Sequence, residues 1–255
     1  MQANPRTITA LFESTQRYVV PMFQRHYVWT QAEQWSPLWD DISEKLLARK
    51  QAQEQDRRVS PHFLGALILD STRSSSTREI RRFVVIDGQQ RLTTFQLLLA
   101  AIRDVANIKN HPLVARASER CLMNPDVELM ERPGEEQYKL WPTQVNREAF
   151  CQVISAGSFD KVRKLFPVIK KPRKKNPEPR ERLAEAYEFF YEKISAACSE
   201  CECDDETKNL LISILDVLRD DFTVVEIILD DTDDSQEIFN SKCTREATKS
   251  IRPTT

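Results

Sequence analysis

The sequence predicts an α+β fold, with an α/β N-terminal part followed by a mainly helical lobe. Three observations carry this. Two short apolar runs, at 63–69 and 83–86, read as buried strands. The second run stops at Asp87-Gly88-Gln89-Gln90-Arg91 and passes straight into a helical pattern at 92–106, with Leu92, Phe95, Leu98, Leu99, Ile102 and Val105 on one side. Beyond residue 110, apolar groups recur every three to four positions at 145–156, 178–197 and 205–219. The β-branched run at 222–229 is the one late strand.

The remaining elements follow in chain order. Residues 7–13 fit either a strand or a helical turn. Tyr18-Val19-Val20 is a brief strand stopped by Pro21. An aromatic run broken by polar groups follows at 23–29. Thr30 is a good N-cap, and Glu33 completes a capping box. The helix it opens carries Trp35, Leu38, Trp39, Ile42, Leu46 and Leu47 at helical spacing. Residues 51–60 are polar and read as a loop, as do the serines and threonines at 71–77. Between 161 and 182, ten Lys/Arg stand against two Glu, with four prolines among them, which suits an exposed basic linker.

Composition narrows the function classes. A chain of 255 residues can bury a real core as one large domain or two small ones. With a net charge of -2, any nucleic-acid-binding surface must be local. No run approaches the ~18 apolar residues of a membrane span. The first residues lack the apolar segment of a signal peptide, and six cysteines then point to free thiols in a reducing compartment. The expectation is a cytoplasmic protein. Four glycines exclude both G-x-x-x-x-G-K-[ST] and G-x-G-x-x-G phosphate loops. The three histidines stand far apart, and no H-E-x-x-H occurs.

Two segments can carry chemistry. Asp87-Gly88-Gln89-Gln90-Arg91 lies where a strand ends and a helix begins. Such a helix start offers unpaired N–H groups and a positive dipole end, so it attracts anions. Gly88 permits a tight turn, and Arg91 can clamp a phosphate with two parallel N–H groups. Asp87 can hold Mg²⁺ or activate a water. Gln89 and Gln90 suit a sugar, a base or an attacking water. The plain alternative is a capped helix, with Asp87 as N-cap, the glutamines solvated and Arg91 in a surface ion pair. In the second segment, Gln24 and Arg25 stand between Phe23 and Tyr27/Trp29, where an arginine can face a ligand beside aromatics. The alternative there is an apolar edge held by Tyr27 and Trp29, with Gln24 and Arg25 solvated.

These residues resemble a known family. The pattern Y-x-V-P-x-F-Q-R-x-Y-x-W at 18–29, the block His62-Phe63-Leu64-Gly65 and the run from Val85 to Thr94 around D-G-Q-Q-R are similar to the motifs of the GmrSD-type restriction endonuclease N-terminal domain. Weaker blocks follow in the same order at 139–143, 186–190 and 236–240. The resemblance implies a ParB/sulfiredoxin-like N-terminal domain and a helical lobe. It implies binding and hydrolysis of a nucleoside triphosphate with Mg²⁺ as the regulatory part of a modification-dependent, type IV-like restriction or phage-defence system. By the same resemblance Asp87, Gln90 and Arg91 are catalytic, with Asp87 on the metal, and Gln24, Arg25, Gly88, Gln89 and His62 bind the nucleotide. Arg25 and Arg91 are expected to face one phosphate chain. His62 at the start of a buried strand can equally be structural. Asn146 stands where the family often has an aspartate.

The expected division is 1–109 for the nucleotide-binding domain, 110–240 for the helical lobe and 241–255 for a disordered tail. Partners would be a nucleotide, modified DNA and a separate nuclease domain or chain. No histidine follows His111, so no HNH nuclease site is expected within this chain. The tail departs from the family's usual continuation in a way compatible with a shifted reading frame, which would make the chain a truncated remnant. A nonenzymatic DNA-binding module or an inactive remnant are therefore the competing readings. Cys198-x-x-Cys201-x-Cys203 resembles half a metal site, but its spacing matches no common zinc knuckle, and its acidic neighbours read as a solvated helix end.

Overall fold

The computed structural model describes residues 2–55, 59–72, 80–125, 127–169 and 180–229. The stretches at 236–240 and 241–255, and most of the basic run's centre, lie outside the described residues.

Among the described residues six strands form one mixed sheet. They are β1 (Gln2–Thr7), β2 (Gln16–Val19), β3 (His62–Thr72), β4 (Arg81–Asp87), β5 (Leu140–Trp141) and β6 (Phe222–Leu229). Their spatial order is β1-β6-β3-β4-β2-β5. β6 pairs antiparallel with β1 and parallel with β3; β4 pairs antiparallel with β3 and parallel with β2; β2 runs parallel to β5. Pro5 sits in β1, at the sheet's edge, where a residue without an N–H is tolerated. Strands from before and after residue 110 share this sheet.

The helices are α1 (Ile8–Glu13), α2 (Ser36–Gln55), α3 (Gln89–Ile108), α4 (Pro112–Leu122), the single turn α5 (Pro133–Glu136), α6 (Gln144–Ala156), α7 (Phe159–Leu165), α8 (Arg182–Ser199) and α9 (Asp204–Asp220). A π-helical turn over Gln31–Trp35 leads into α2, and Thr30 caps it by accepting from the Glu33 N–H, while the Thr30 N–H is taken by Gln34 Oε1 rather than by the Glu33 carboxylate expected of a capping box. The α+β expectation holds. Residues 7–13 divide between the two alternatives, since β1 ends at Thr7 and α1 starts at Ile8. The expected loop at 51–60 is helix as far as Gln55. No helix among the described residues is long and apolar enough to cross a membrane.

α3 is the core helix, buried on all sides from Leu92 to Ala106. A helix covered all round must pair every charge it carries. Arg103 Nε therefore meets Asp104 Oδ1 at 2.7 Å, Arg103 Nη1 meets Glu119 of α4 at 2.8 Å, and Tyr187 of α8 donates to Asp104 at 2.6 Å. Three helices are pinned by that chain of contacts.

The sheet's directions fix where a site can form. β2 and β4 are parallel neighbours, so their carboxyl ends meet at one edge. β3 runs the other way, and its pairing with β4 starts at Ile68, opposite Asp87. Residues 62–67 of β3 therefore project beyond that edge. Ligands of open α/β sheets bind in this position.

Lys139 is a buried charge whose hydrogen-bond acceptor is a neutral carbonyl. Lys139, 1% exposed, donates from Nζ to the Ser14 carbonyl at 2.7 Å. Burial pushes its ammonium down to about 8. The neighbouring Cys121 thiol is pushed up to about 12 by burial, so it stays neutral and offers no anion. Between pH 8 and the ordinary lysine value of ~10.4, the unfolded chain holds a proton that the folded chain has lost, so this group's contribution to stability rises with pH there. Lys139→Met should abolish that rise and stabilise the protein at pH 7 by about 1–3 kcal/mol. Urea unfolding of both proteins at pH 7 and pH 9.5 measures it.

Candidate functional site

β4 ends at Asp87, and α3 begins two residues later. Gly88 makes that possible: its φ is 104° and ψ 5°, a left-handed conformation that side chains rarely adopt. A Cβ there would stand 2.8 Å from Leu67 Cδ1. Gly88, not Asp87, takes the N-cap position, and having no side chain it supplies no capping oxygen of its own. The first-turn N–H groups have no intrahelical acceptor.

The two glutamines are not solvated. Gln89 and Gln90 are 8% and 6% exposed. Gln90 reads the loop after β2 at both ends of its amide: Nε2 donates to the His26 carbonyl at 3.0 Å, and Oε1 accepts from the Val28 N–H at 2.9 Å. Gln89 Nε2 donates to the Arg25 carbonyl at 2.9 Å. The loop answers in kind. Gln24 Nε2 donates to the carbonyls of Val85 and Ile86 at 2.9 and 2.8 Å, capping the end of β4. Side chains of each segment therefore satisfy the backbone of the other.

Tyr27 anchors the same loop from beneath. Its N–H donates to Asn146 Oδ1 at 2.7 Å; its hydroxyl sits 2.7 Å from Thr94 Oγ1 and accepts from Trp35 Nε1 at 2.9 Å. Burial raises the phenol's pKa well above the tyrosine range. Arg182 closes the ring by donating to the Val28 carbonyl at 2.7 Å. Asn146, the departure from the family's aspartate, thus holds the loop through an oxygen that a carboxylate would also supply.

Arg91 acts on the other side, where β3 bulges. Nη1 donates to the Leu64 carbonyl at 2.6 Å and Nη2 to the Ala66 carbonyl at 2.7 Å. The pairing of β3 with β6 slips between Phe63 and Ala66. Two of the guanidinium's five donors replace the lost ladder there. Asp87 Oδ2 lies 3.9 Å from Nη2, and the two side chains are 36% and 20% exposed. Burial lowers the Arg91 pKa, and Asp87 opposes the shift. Gly65 lies against this guanidinium at φ 103°, and a Cβ on it would stand 2.5 Å from Arg91 Nη1.

The structure thus gathers Gln24, the Arg25 backbone, Asp87, Gly88, Gln89, Gln90 and Arg91 around one strand–turn–helix junction. The Arg25 side chain is exposed. His62 stands elsewhere in its contacts: Nε2 is 3.5 Å from Asp41 Oδ2, and its ring is 5.0 Å from that of Phe222. Its partners come from α2 and β6. Sequence reasoning read Tyr27 only as an apolar anchor, gave Asn146 no role, and missed Thr94, Arg182 and the bulge at 64–66. The signal for the bulge was present, because a lone glycine inside a strand pattern marks a bulge or a close backbone approach. Among the described residues, no group of three or more His, Cys, Asp or Glu side chains is placed to hold a metal ion. That covers the cluster at Cys198, Cys201 and Cys203.

Gly65→Ala should destabilise the fold by about 1–3 kcal/mol, from backbone strain and collision with Arg91. The double variant with Arg91→Ala should lose less than the sum of the two single losses, since the collision then disappears. Denaturant midpoints of the four proteins measure this coupling, and strict additivity would separate the two residues.

A family model described as the GmrSD restriction endonuclease, N-terminal domain, matches residues 8–242. No curated protein matches the chain. The match spans β2, the loop after it, the junction around Asp87 and every helix from α1 to α9. By this coverage the chain belongs to the family of GmrSD restriction endonuclease N-terminal domains, and through it is linked to restriction systems.

Proposed function

We propose that the chain binds a nucleoside triphosphate with Mg²⁺ at the carboxyl edge of β2 and β4 and hydrolyses it, as the regulatory part of a modification-dependent restriction system. The observation that carries this reading is the N-terminus of a 20-residue helix, set directly after a strand and held against the loop after β2 and the bulge of β3 by Gln89, Gln90 and Arg91. Its first-turn N–H groups and positive dipole end favour phosphate oxygens. Arg25 and Arg91 add cationic donors. Asp87, half-exposed at the same turn, can hold a metal that arrives with the phosphates or orient the attacking water. One carboxylate fits that role, since Mg²⁺ is often bound through one or two carboxylates and the substrate's own phosphates. The metal supplies charge neutralisation on the phosphates.

The geometry divides the labour among the proposed site residues. Gln90, with both amide ends on the loop backbone, acts as a positioning residue rather than a catalytic one. Gln24 and Gln89 do the same for Arg25. Arg91 shares its donors between the bulge in β3 and the ligand. His62 supports β3 beside the site.

Modified DNA and a nuclease domain or chain are the partners this reading implies. The competing reading, a DNA-binding module without hydrolysis, would draw on the basic run, three of whose described arginines already have partners in the fold. Arg163 pairs with Glu192, Arg180 with Glu188, and Arg182 is bound to the Val28 carbonyl.

Arg25→Ala should weaken triphosphate binding about tenfold or more, as expected for loss of a charge-assisted contact. Asp87→Ala should abolish Mg²⁺-dependent phosphate release. Calorimetric titration with each of the four common triphosphates, together with a phosphate-release assay, measures both. Salt-sensitive DNA binding without phosphate release would favour the DNA-binding module instead.

A further inference from the structure

The cysteines at 198, 201 and 203 form no metal site, but a turn of the chain brings the first two together. Cys198, 2% exposed, lies on the buried side of α8, one residue before the helix ends at Ser199. The C-cap residue, Glu200, keeps a right-handed helical backbone. The chain therefore turns once more, and the Cys201 N–H donates to the Cys198 carbonyl at 3.4 Å. The Cys201 thiol leans back over the same turn and donates to the Ala197 carbonyl at 3.7 Å. Both thiols are free.

A turn closed by that hydrogen bond holds its end Cα atoms within ~7 Å, and a disulfide spans ~4.4–6.8 Å. Residues three apart in a helical turn also share a face, with Cβ atoms about 5–6 Å apart. A bond needs them nearer, at ~3.5–4.5 Å. Ser199, Glu200 and Glu202 are exposed, so the turn can tighten without repacking the core around them. Cys203 stands outside this turn, in extended backbone at the N-cap of α9.

The two thiols are unequal. Cys201 is half-buried and reaches solvent, while Cys198 faces the core. Burial, and after it the nearness of Cys201, pushes the Cys198 thiol up to about 11. The thiolate is the attacking species, so Cys201 reacts first and Cys198 second. The ring they close is short and restrains the unfolded chain less than a long loop does. Such a bond is a poor staple, and it forms and breaks with the surrounding redox poise.

We propose that Cys198 and Cys201 form a reversible disulfide by exchange with small disulfides of the glutathione class. The Cys201 thiolate attacks one sulfur of the small disulfide, whose S–S bond breaks, and the first small thiolate leaves and takes up a proton. Cys198 then gives up its proton and attacks Cys201 Sγ, and the second small thiolate leaves and is protonated. Two protein thiols are oxidised, and the small disulfide is reduced to two thiols. The product ties the last turn of α8 to the segment that leads into α9. It shares no residue with the junction around Asp87 and does not depend on the nucleotide reading.

The test treats the folded full chain with glutathione disulfide, then unfolds it in urea with iodoacetamide and digests it with trypsin. Peptide 194–208 holds all three cysteines. It should lose two hydrogens to a bond between Cys198 and Cys201, leaving only Cys203 to carry glutathione or the alkyl group. In Cys198→Ala, Cys201 should stop at the mixed disulfide with glutathione. In Cys201→Ser, Cys198 should be recovered as an alkylated thiol. Oxidation after unfolding should scatter the modifications over all three cysteines. Recovery of Cys198 as a thiol from the folded native chain, once Cys201 has taken glutathione, would overturn the proposal. So would a bond between Cys201 and Cys203, or the same scatter in folded and unfolded chains.

Discussion

The segment from Gln24 to Val28 crosses the carboxyl edge of the sheet with no strand beside it to take its hydrogen bonds. Peptide groups brought against a protein interior must still be paired. Here the partners are side chains: Gln89 for the Arg25 carbonyl, Gln90 for the His26 carbonyl and the Val28 N–H, and Arg182 for the Val28 carbonyl. The loop returns the interaction through Gln24, which covers the last carbonyls of β4. Because the exchange is mutual, neither the loop nor the start of α3 can move without unpairing the other. Everything proposed for the site depends on this, since it fixes Arg25 and the start of α3 relative to each other.

The same logic explains the other side of the junction. β3 must pass the edge of β4 to reach α2, and it does so through a bulge at Gly65. The backbone carbonyls freed by the bulge are taken by Arg91. Gly88 and Gly65, two of the chain's four glycines, both adopt left-handed conformations within reach of the Arg91 guanidinium. In a sequence so poor in glycine, their concentration here reflects the close approach of three backbone segments to one side chain.

Much of the fold was legible because its periodicity is strong. The strands β3, β4 and β6, the core helix and the helices α6, α8 and α9 follow from apolar spacing, whereas α4 and α7 were not read and β3 reaches Thr72, into the expected loop at 71–77. The misses have physical causes. β1 carries a proline and few apolar groups, and only its edge position makes it a strand. α3 starts three residues before its apolar pattern does, because the helical glutamines are polar groups buried on loop backbone. The candidate site was legible in its residues but not in their roles. A glutamine that reads a backbone and one that reads a ligand look alike in sequence. Only the partners of Gln89 and Gln90 tell them apart.

The central claim is that Gln90 shapes the site by holding the loop's backbone. The amide of Val28 reports this most directly, because its hydrogen-bond acceptor is Gln90 Oε1. Hydrogen exchange at Val28 should be measured in the native protein and in Gln90→Leu, which keeps the bulk and removes both hydrogen bonds. The account predicts that Val28 and its neighbours at 25–28 lose protection while the interior amides of α3 keep theirs. Unchanged protection at Val28 in the variant would contradict it.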